Sequence, residues 1–357
     1  MSNSDVWANY IHEYVVEQDL LDFYHRFLLR FEDKWSQFTS NYNFQYLCQL
    51  NNGNRLRPML VYWGFLLNKS DDFPVNIENE ELDYIIDFCI MIEAIHKMSL
   101  LVDDWIDGDI ARHGAPTFHV VYGADTAVLL AMNLLLKGYL DLSNRLIARE
   151  ETHQKSMSIA LQIAYDMTLG ALDEVSSAEK IIEVSKVKQI VDLETSSIIR
   201  NGLILGFTAG KGTDPLVIDL LDDIGYCCGY SFQALNDLEP FGNVNDLIKH
   251  KGALSTDILK NRKNIVVAYI YAWATKRETE LLESIVDANE AFDNVVSLIN
   301  KYKIKTHLIE EVSNLQMRIY NRIDKIEALT SYSKWCKHFK GFIDVTISAS
   351  KDRALGK

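Results

Sequence analysis

The sequence EAIHKMSLLVDDWID, residues 93–107, decides the fold class, because an apolar helical pattern in it ends abruptly in carboxylates. It is the second half of a longer stretch, residues 81–107, in which apolar side chains recur at helical spacing. These side chains are Ile85, Phe88, Cys89, Ile92, Ile95, Met98, Leu100 and Val102. The pattern predicts one long, buried helix with an acidic C-terminal end.

The same periodicity continues outward in both directions and predicts an all-α protein. Further helices are expected over residues 6–38, 58–67, 120–147, 154–175, 178–206, 216–236 and 256–274. Only 5 prolines occur in 357 residues, which suits long helices because proline breaks a helix interior. No strand-type alternation, repeat or linker is visible, so we expect a single domain over residues 1–357, with a flexible tail after about residue 345.

Composition excludes several classes of protein. The net charge is −14 and no basic cluster stands out, which argues against a nucleic-acid binder. The five cysteines form no C-x-x-C pair, so neither a disulfide scaffold nor a structural zinc site is expected. The N-terminus lacks the pattern of a signal peptide, and the apolar run 127–136 is too short to span a bilayer. We therefore expect a cytoplasmic protein without a transmembrane segment, and interpret 127–136 as a buried helix.

Three carboxylates, Asp103, Asp104 and Asp107, end the long helix. Asp103 and Asp107 are four residues apart and share one helix face, where their charges repel. Magnesium compensates such repulsion, because it typically binds one or two carboxylates together with substrate phosphates. An ordinary acidic helix end is the commoner explanation of so short a motif. Acid at a helix C-terminus opposes the helix dipole, however, which favours a function.

Two further polar groups support a phosphate chemistry. In residues 232–240, FQALNDLEP, Gln233 and Asp237 share a face, and Asn236 and Glu239 could add oxygen ligands. In residues 52–58, NGNRLRP, a glycine turn presents two arginines before a helix, and arginine suits bidentate phosphate recognition. Taken singly, each group has an explanation without a function. Residues 232–240 could be a polar helix end stopped by proline, and residues 52–58 could be a solvated basic turn.

Together, the order and spacing of these elements resemble the trans-isoprenyl diphosphate synthase, or polyprenyl synthetase, family. The resemblance runs from about residue 52 to residue 264. It implies an all-α helical bundle of the isoprenyl diphosphate synthase and class I terpenoid synthase type. It also implies a homodimer and a magnesium-dependent prenyltransferase that ionises an allylic prenyl diphosphate.

The resemblance also assigns roles to residues. It makes Asp103 and Asp107 metal ligands with Asp104 in support, and places Asn236, Asp237 and Glu239 around a further ion, so that two or three magnesium ions bridge to substrate. The residues that it places at the substrate diphosphates are Arg112, Arg57, His96, Arg262, Lys263 and Gln233.

This chain departs from the family pattern mainly around the acceptor diphosphate. Asn54 and His113 stand where the family has a lysine and an arginine, and Glu194 replaces a lysine on the allylic side. Asparagine carries no charge, and histidine is mostly neutral at pH 7. Pro240 also replaces the third aspartate of the second motif. We therefore predict a depleted pocket for isopentenyl diphosphate.

Four functions remain open on this basis. The first is a prenyltransferase that keeps the donor site but uses a non-standard acceptor. The second is a class I terpene cyclase acting on a linear prenyl diphosphate, which Asn236 favours and the missing glutamate of the cyclase metal motif disfavours. The third is an ordinary chain-elongating synthase, and the fourth is a non-catalytic subunit, which the complete Asp103, Asp104 and Asp107 group disfavours.

Overall fold

The structure, a computed structural model, describes residues 18–42, 48–51, 53–71, 79–112, 114–146, 153–176, 183–242, 264–285 and 287–356. Within these ranges helices dominate, which confirms the all-α prediction. The longer helices are α1 (Gln18–Thr39), α2 (Leu56–Leu66), α3 (Asn79–Asp107), α4 (Ala124–Leu146), α5 (His153–Ser176), α6 (Val184–Val191), α7 (Ser197–Ala209), α8 (Pro215–Leu238), α9 (Ile265–Trp273), α10 (Lys276–Ser284), α11 (Ala288–Lys301), α12 (Ile304–Thr330) and α13 (Ser333–Leu355).

Shorter elements link these helices. They are the helical turns Cys48–Asn51 and Phe118–Tyr122, a π-helical turn Asp192–Ser196 between α6 and α7, and a 3₁₀ turn Glu239–Phe241 after α8. Two-residue strands β1 (Ala111–Arg112) and β2 (Ala115–Pro116) pair antiparallel in the loop after α3.

The core is built around α2, α3, α7 and α8. Helix α3 packs against α2 and α4, and α7 lies between α2 and α8, which in turn packs on α12. The side chains of α2 are almost all buried, as are those on the α3 positions that the sequence pattern selects, such as Ile85, Phe88 and Ile95. The predicted long buried helix is therefore present, and it carries the carboxylates at its end.

Glycines allow α2 and α7 to cross at very short distance. A Cβ atom added to Gly64 would lie 2.0 Å from the Leu203 carbonyl oxygen, and one added to Gly206 would lie 1.8 Å from that of Val61. No real side chain tolerates such contacts, so the two backbones touch because both residues lack a Cβ atom.

Several predicted boundaries differ in the structure. The helix expected over residues 120–147 is interrupted at Gly123, whose φ of +88° is unfavourable for a residue with a side chain. Helix α13 continues to Leu355, past the residue where the sequence suggested a flexible tail, because Ile347 and Ala354 are buried. Part of the predicted helices 6–38, 178–206 and 256–274 lies outside the described residues.

Helix α4 is less buried than the sequence suggested. Leu129, Met132 and Leu136 expose more than half of their side-chain surface, although the run that contains them was expected in the core. In the part of the chain that the structure describes, α4 is also the one helix whose length and apolar composition would suffice to cross a membrane. Buried helices of soluble proteins meet that criterion too.

Candidate active site

The carboxylates at the end of α3 differ in exposure. Asp104 is buried with 3% of its surface exposed, whereas Asp103 and Asp107 are half-buried. The helix stops at Gly108, which has a left-handed φ of +63°. Asp103 and Asp107 lie one helical turn apart, so their side chains leave the same face at the end of the helix.

The loop after α3 returns Arg112 to the buried carboxylate. The short β1–β2 pair turns at Gly114, with φ +77°, and the Thr117 hydroxyl donates to the Asp109 carbonyl at 2.6 Å. This geometry lets Arg112 Nε donate to Asp104 Oδ1 at 2.7 Å. The sequence placed Arg112 at a substrate diphosphate, and the structure adds a protein partner that holds its guanidinium.

Burial and charge act in opposite directions on this ion pair. Burial opposes the charge on Arg112, but Asp104 and then Asp103 and Asp109 outweigh it and raise the pKa of the guanidinium. Burial raises the pKa of Asp104, and Arg112 limits that rise. Asp104 is therefore a positioning group for Arg112, while Asp103 and Asp107 are the half-buried pair.

The half-buried pair, Asp103 and Asp107, fits the chemistry of magnesium. Within the described ranges, no three Asp, Glu, His or Cys side chains converge closely enough to hold an ion by themselves. Magnesium usually takes one or two carboxylates and completes its shell with water and substrate phosphate oxygens. Asp103 and Asp107 are the oxygen donors that the end of α3 offers for such an ion.

The second acidic group, at the end of α8, is organised around Asp237. Gln233 Nε2 donates to Asp237 Oδ1 at 2.7 Å, and the backbone amide of Ile265 donates to Asp237 Oδ2 at 2.8 Å. The Thr195 hydroxyl donates to Gln233 Oε1 at 3.1 Å. Gln233 and Asp237 are thus together, as their spacing predicts, and they tie α8 to the π-helical turn and to the start of α9.

The other two proposed ligands of that group have surroundings that differ from those of Asp237. Asn236 is exposed, whereas Asp237 is buried. Glu239 forms an ion pair with Arg353 of α13, with Nε and Oε2 3.5 Å apart. This partner was missed in the sequence because it lies in the last helix, far from Glu239 along the chain.

The glycine turn presents one arginine and buries the other. Arg55 Nε donates to Glu32 at 2.7 Å and its Nη1 to Glu93 at 2.6 Å, and only 4% of the residue is exposed. The expectation that the turn presents two arginines is therefore wrong, because Arg55 adopts a left-handed φ of +52° and turns inward. Arg57, on the first turn of α2, is half-buried and remains available.

The predicted anion-binding residues Arg57, His96 and Arg112 lie close enough to influence one another. Burial lowers the pKa of Arg57, and Arg112 adds to that effect. Burial, followed by the charges of Arg57, Lys97 and Arg112, lowers the pKa of His96 well below its usual range. His96 is therefore neutral at pH 7 and can offer hydrogen bonds but no charge.

Some site residues could not be placed, and one was overlooked. Arg262, Lys263 and His113 lie outside the described residues. Lys97 was not among the predicted site residues, yet it is 3% exposed and its Nζ lies 3.5 Å from Glu93 Oε1. Its signal in the sequence is a lysine four residues after Glu93, a spacing that puts the two side chains on one helix face.

Comparisons with known proteins agree with this architecture. Residues 39–302 match the sequence model of the polyprenyl synthetase family. The chain is 25% identical to the geranylgeranyl diphosphate synthase of Saccharolobus solfataricus over 71% of this chain and 74% of that protein. It is 30% identical to the farnesyl diphosphate synthase of Haemophilus influenzae over 56% of this chain and 67% of that protein.

Solved structures show the same fold. The polyprenyl synthase of Caulobacter crescentus, complexed with calcium and isoprenyl diphosphate, superimposes with a TM-score of 0.73 at 18% identity, over 92% of this chain and 97% of that chain. The geranylgeranyl pyrophosphate synthase of Corynebacterium glutamicum, complexed with isoprenyl diphosphate and magnesium, superimposes equally well over 92% and 98% of the two chains.

Proposed function

This chain belongs to the polyprenyl synthetase family, and from that premise we propose that it is a magnesium-dependent prenyltransferase acting on an allylic prenyl diphosphate. The observation that carries the proposal is the end of α3, where half-buried Asp103 and Asp107 lie beside an arginine held by buried Asp104. The relatives named above are prenyl diphosphate synthases.

The residues at the end of α3 would have different roles in the ionisation of the allylic diphosphate. Asp103 and Asp107 would hold magnesium, which supplies positive charge to the departing diphosphate when bound. Arg112, 28% of whose side chain is exposed, would donate hydrogen bonds to the same oxygens. Donors that are already fixed in place stabilise developing charge without reorganisation, and the Asp104 ion pair fixes this one.

Pyrophosphate release from geranyl, farnesyl and geranylgeranyl diphosphates, with magnesium present, tests the assignment. Asp103→Asn and Asp107→Asn should each lower the rate by about 100-fold or more, the size of effect seen when a transition-state stabilising group is lost. Asp125→Asn, at an exposed position early in α4, is the matched control. Unchanged release in the two α3 variants would overturn the assigned donor site.

A second candidate, a class I terpene cyclase, is favoured by one observation. Asn236 is the exposed polar residue at the end of α8, while Asp237 is buried in hydrogen bonds. Product analysis by mass separates the two functions. A cyclic hydrocarbon or cyclic terpene alcohol formed without any acceptor would indicate cyclisation, whereas a larger prenylated product that requires an acceptor would indicate transfer.

We also propose that two copies associate through α4 and α5. Exposed apolar residues form one stripe on each helix, Leu129, Met132, Leu136 and Leu140 on α4 and Leu161, Tyr165, Leu169, Leu172 and Val175 on α5. The helices are neighbours, joined by the Tyr139 hydroxyl donating to the Ala160 carbonyl at 2.7 Å. A second copy would cover these stripes, as a homodimer of this family would require.

The cytoplasmic location stays a prediction.

A further inference from the structure

A groove of about 540 Å³ lies between the first half of α8 and the second half of α12. The two helices run antiparallel along it. Asp223 of α8 accepts a hydrogen bond from Arg318 Nε of α12 at 2.9 Å. Two turns later on α8, Tyr230 donates at 2.9 Å to Glu311, which lies two turns earlier on α12. The groove is separate from the candidate active site, because Asp237 lies about four helical turns beyond Asp223.

One end of the groove carries cations. Arg318 and Arg322 both donate to the Asp223 carboxylate, Arg322 Nε at 2.6 Å. Burial would raise the pKa of Asp223, but the two guanidinium groups outweigh burial and lower it, so one ionised carboxylate faces two cations. Lys325, one turn further along α12, and Asp219 line the same groove. The lining therefore has three cations against two carboxylates.

Other acidic residues nearby are paired with cations outside the groove. Asp222 Oδ1 lies 3.8 Å from Arg200 Nε, and Asp324 forms an ion pair with Lys340. Lys325 itself is exposed and forms no ion pair within the described ranges. The groove therefore keeps a local positive charge in a protein whose net charge is −14.

The other end of the groove is apolar. Leu216 lies seven residues before Asp223 on α8, and Leu329 lies seven residues after Arg322 on α12. Because the helices are antiparallel, both leucines are displaced towards the same end, by about 10 Å along the groove. Leu216 is 59% exposed and Leu329 is 46% exposed, and Leu220 also lines the groove. Cations and apolar surface are thus separated along one cavity.

This separation fits an amphiphile with an anionic head and a linear apolar tail. Arginine binds phosphate through paired N–H groups, and lysine binds it as a point charge. The volume is within the range of small-molecule sites. An anionic bilayer is a poorer occupant, because the overall negative charge of the protein repels such a surface.

We propose that the groove between α8 and α12 binds a single molecule of a linear phosphate ester, such as an alkyl or prenyl phosphate. Its head group contacts Arg322 and Lys325, and its tail lies along Leu216 and Leu329. The inference goes beyond the proposed function, because this site requires neither magnesium nor the carboxylates at the end of α3.

The experiment measures the binding of dodecyl phosphate to the full chain by calorimetry, below the micellar concentration and with EDTA present. Lys325→Gln should weaken binding about fivefold, the effect of losing an ion pair that stays partly in water. Adding Arg322→Gln should bring the loss to about 10-fold or more. Lys305→Gln, on the same helix but outside the groove, is the matched control and should bind as the wild type does.

The tail has its own test. Octyl phosphate should bind the wild type about 10-fold more weakly than dodecyl phosphate, because fewer methylene groups are buried. Leu329→Asn should narrow this difference, since it removes part of the apolar wall. Leu281→Asn, at an exposed leucine of α10, should leave the difference unchanged.

Several results would overturn the proposal. They are no binding to the wild type, equal affinity of Lys325→Gln and wild type, or equal affinity for the two chain lengths. Binding to vesicles of anionic phospholipid without binding of monomeric dodecyl phosphate would assign a membrane surface instead.

The candidate active site is excluded as the place of binding by a further variant. Asp103→Asn combined with Asp107→Asn should bind dodecyl phosphate as the wild type does, because the groove contains neither residue. Loss of binding in that variant would also overturn the proposal. The proposed function fails separately, through unchanged pyrophosphate release in the α3 variants, whatever the groove binds.

Discussion

At the residue scale, the arginines of the glycine turn show how backbone conformation separates similar side chains. Arg55 points inward, where its guanidinium also lies over the rings of Phe31 and Trp35, 5.4 and 5.6 Å from their centres. Arg57, two residues later on the first turn of α2, faces the candidate anion site. Arg55 is therefore a structural residue, whereas Arg57 is the proposed binding residue.

Arg55→Lys should destabilise the protein by about 2 kcal/mol, since lysine cannot reproduce the forked contact with Glu32 and the bond to Glu93. Urea unfolding measures this change. Arg57→Lys is the matched control, and its unfolding free energy should stay closer to that of the wild type. Equal losses in the two variants would contradict the separation of roles.

The Asp104–Arg112 pair predicts a pH dependence. Arg112→Met leaves the Asp104 carboxylate buried without its guanidinium partner, which should cost about 3 kcal/mol at pH 7. The pKa of Asp104, already raised by burial, rises further, so folding favours the protonated form. The variant should lose stability as pH rises through that pKa, because the native state then binds more protons than the unfolded state.

Unfolding free energies of Arg112→Met and wild type, measured between pH 4.5 and 7, test this sign. The deficit of the variant should shrink towards acidic pH. Adding Asp104→Asn to Arg112→Met should remove the pH dependence of the deficit, because no titrating carboxyl remains in the pair. A deficit that grows on acidification would contradict the interpretation.

At the element scale, the crossing of α2 and α7 sets the position of the glycine turn relative to α8. Helix α2 begins at the glycine turn, and α7 follows the π-helical turn that contacts Gln233 through Thr195. Because the two backbones touch at Gly64 and Gly206, a change in their spacing would move the turn relative to α8.

Gly206→Ala should destabilise the protein severely, by about 3 kcal/mol or more, because its methyl group would overlap the Val61 carbonyl and force the helices apart. Gly202→Ala is a close control one turn earlier on α7. A Cβ atom there would lie at an ordinary 3.6 Å from Val61 Cγ2. That variant should be neutral or slightly stabilised, since alanine favours helix. Thermal unfolding of both variants separates the outcomes.

At the scale of the whole molecule, the apolar stripes of α4 and α5 and the net charge of −14 would determine how two copies meet in the proposed dimer. Large contiguous apolar surfaces on a soluble protein usually mark an interface. Since the stripes carry no charge of their own, the overall negative charge does not prevent two copies from packing there.

Leu136→Glu combined with Leu140→Glu should convert the proposed dimer to a monomer, because four like charges would be buried together at the interface. Sedimentation equilibrium gives the mass directly. Leu281→Glu, at an exposed leucine on α10, should leave the mass unchanged. A monomeric wild type, or a doubly substituted variant that still sediments as a dimer, would contradict the proposed interface.

The sequence by itself determined the all-α class, the long helix that ends in Asp103, Asp104 and Asp107, and the pairing of Gln233 with Asp237 one turn later. These features depend on periodicity and on spacings of three or four residues, which a helix converts directly into neighbours. The departures at Asn54 and Asn236 came instead from the resemblance to the polyprenyl synthetase family.

Only the tertiary structure decided which cations face the site. Arg55 turns inward and donates to Glu32, and Lys97 on α3 lies close to Gly53 of the glycine turn. Arg353, in the last helix, forms an ion pair with Glu239. Each partner is remote along the chain, and a left-handed residue such as Arg55 redirects a side chain without a change in composition. Such contacts arise when helices pack, so they cannot be predicted from the periodicity of a single sequence.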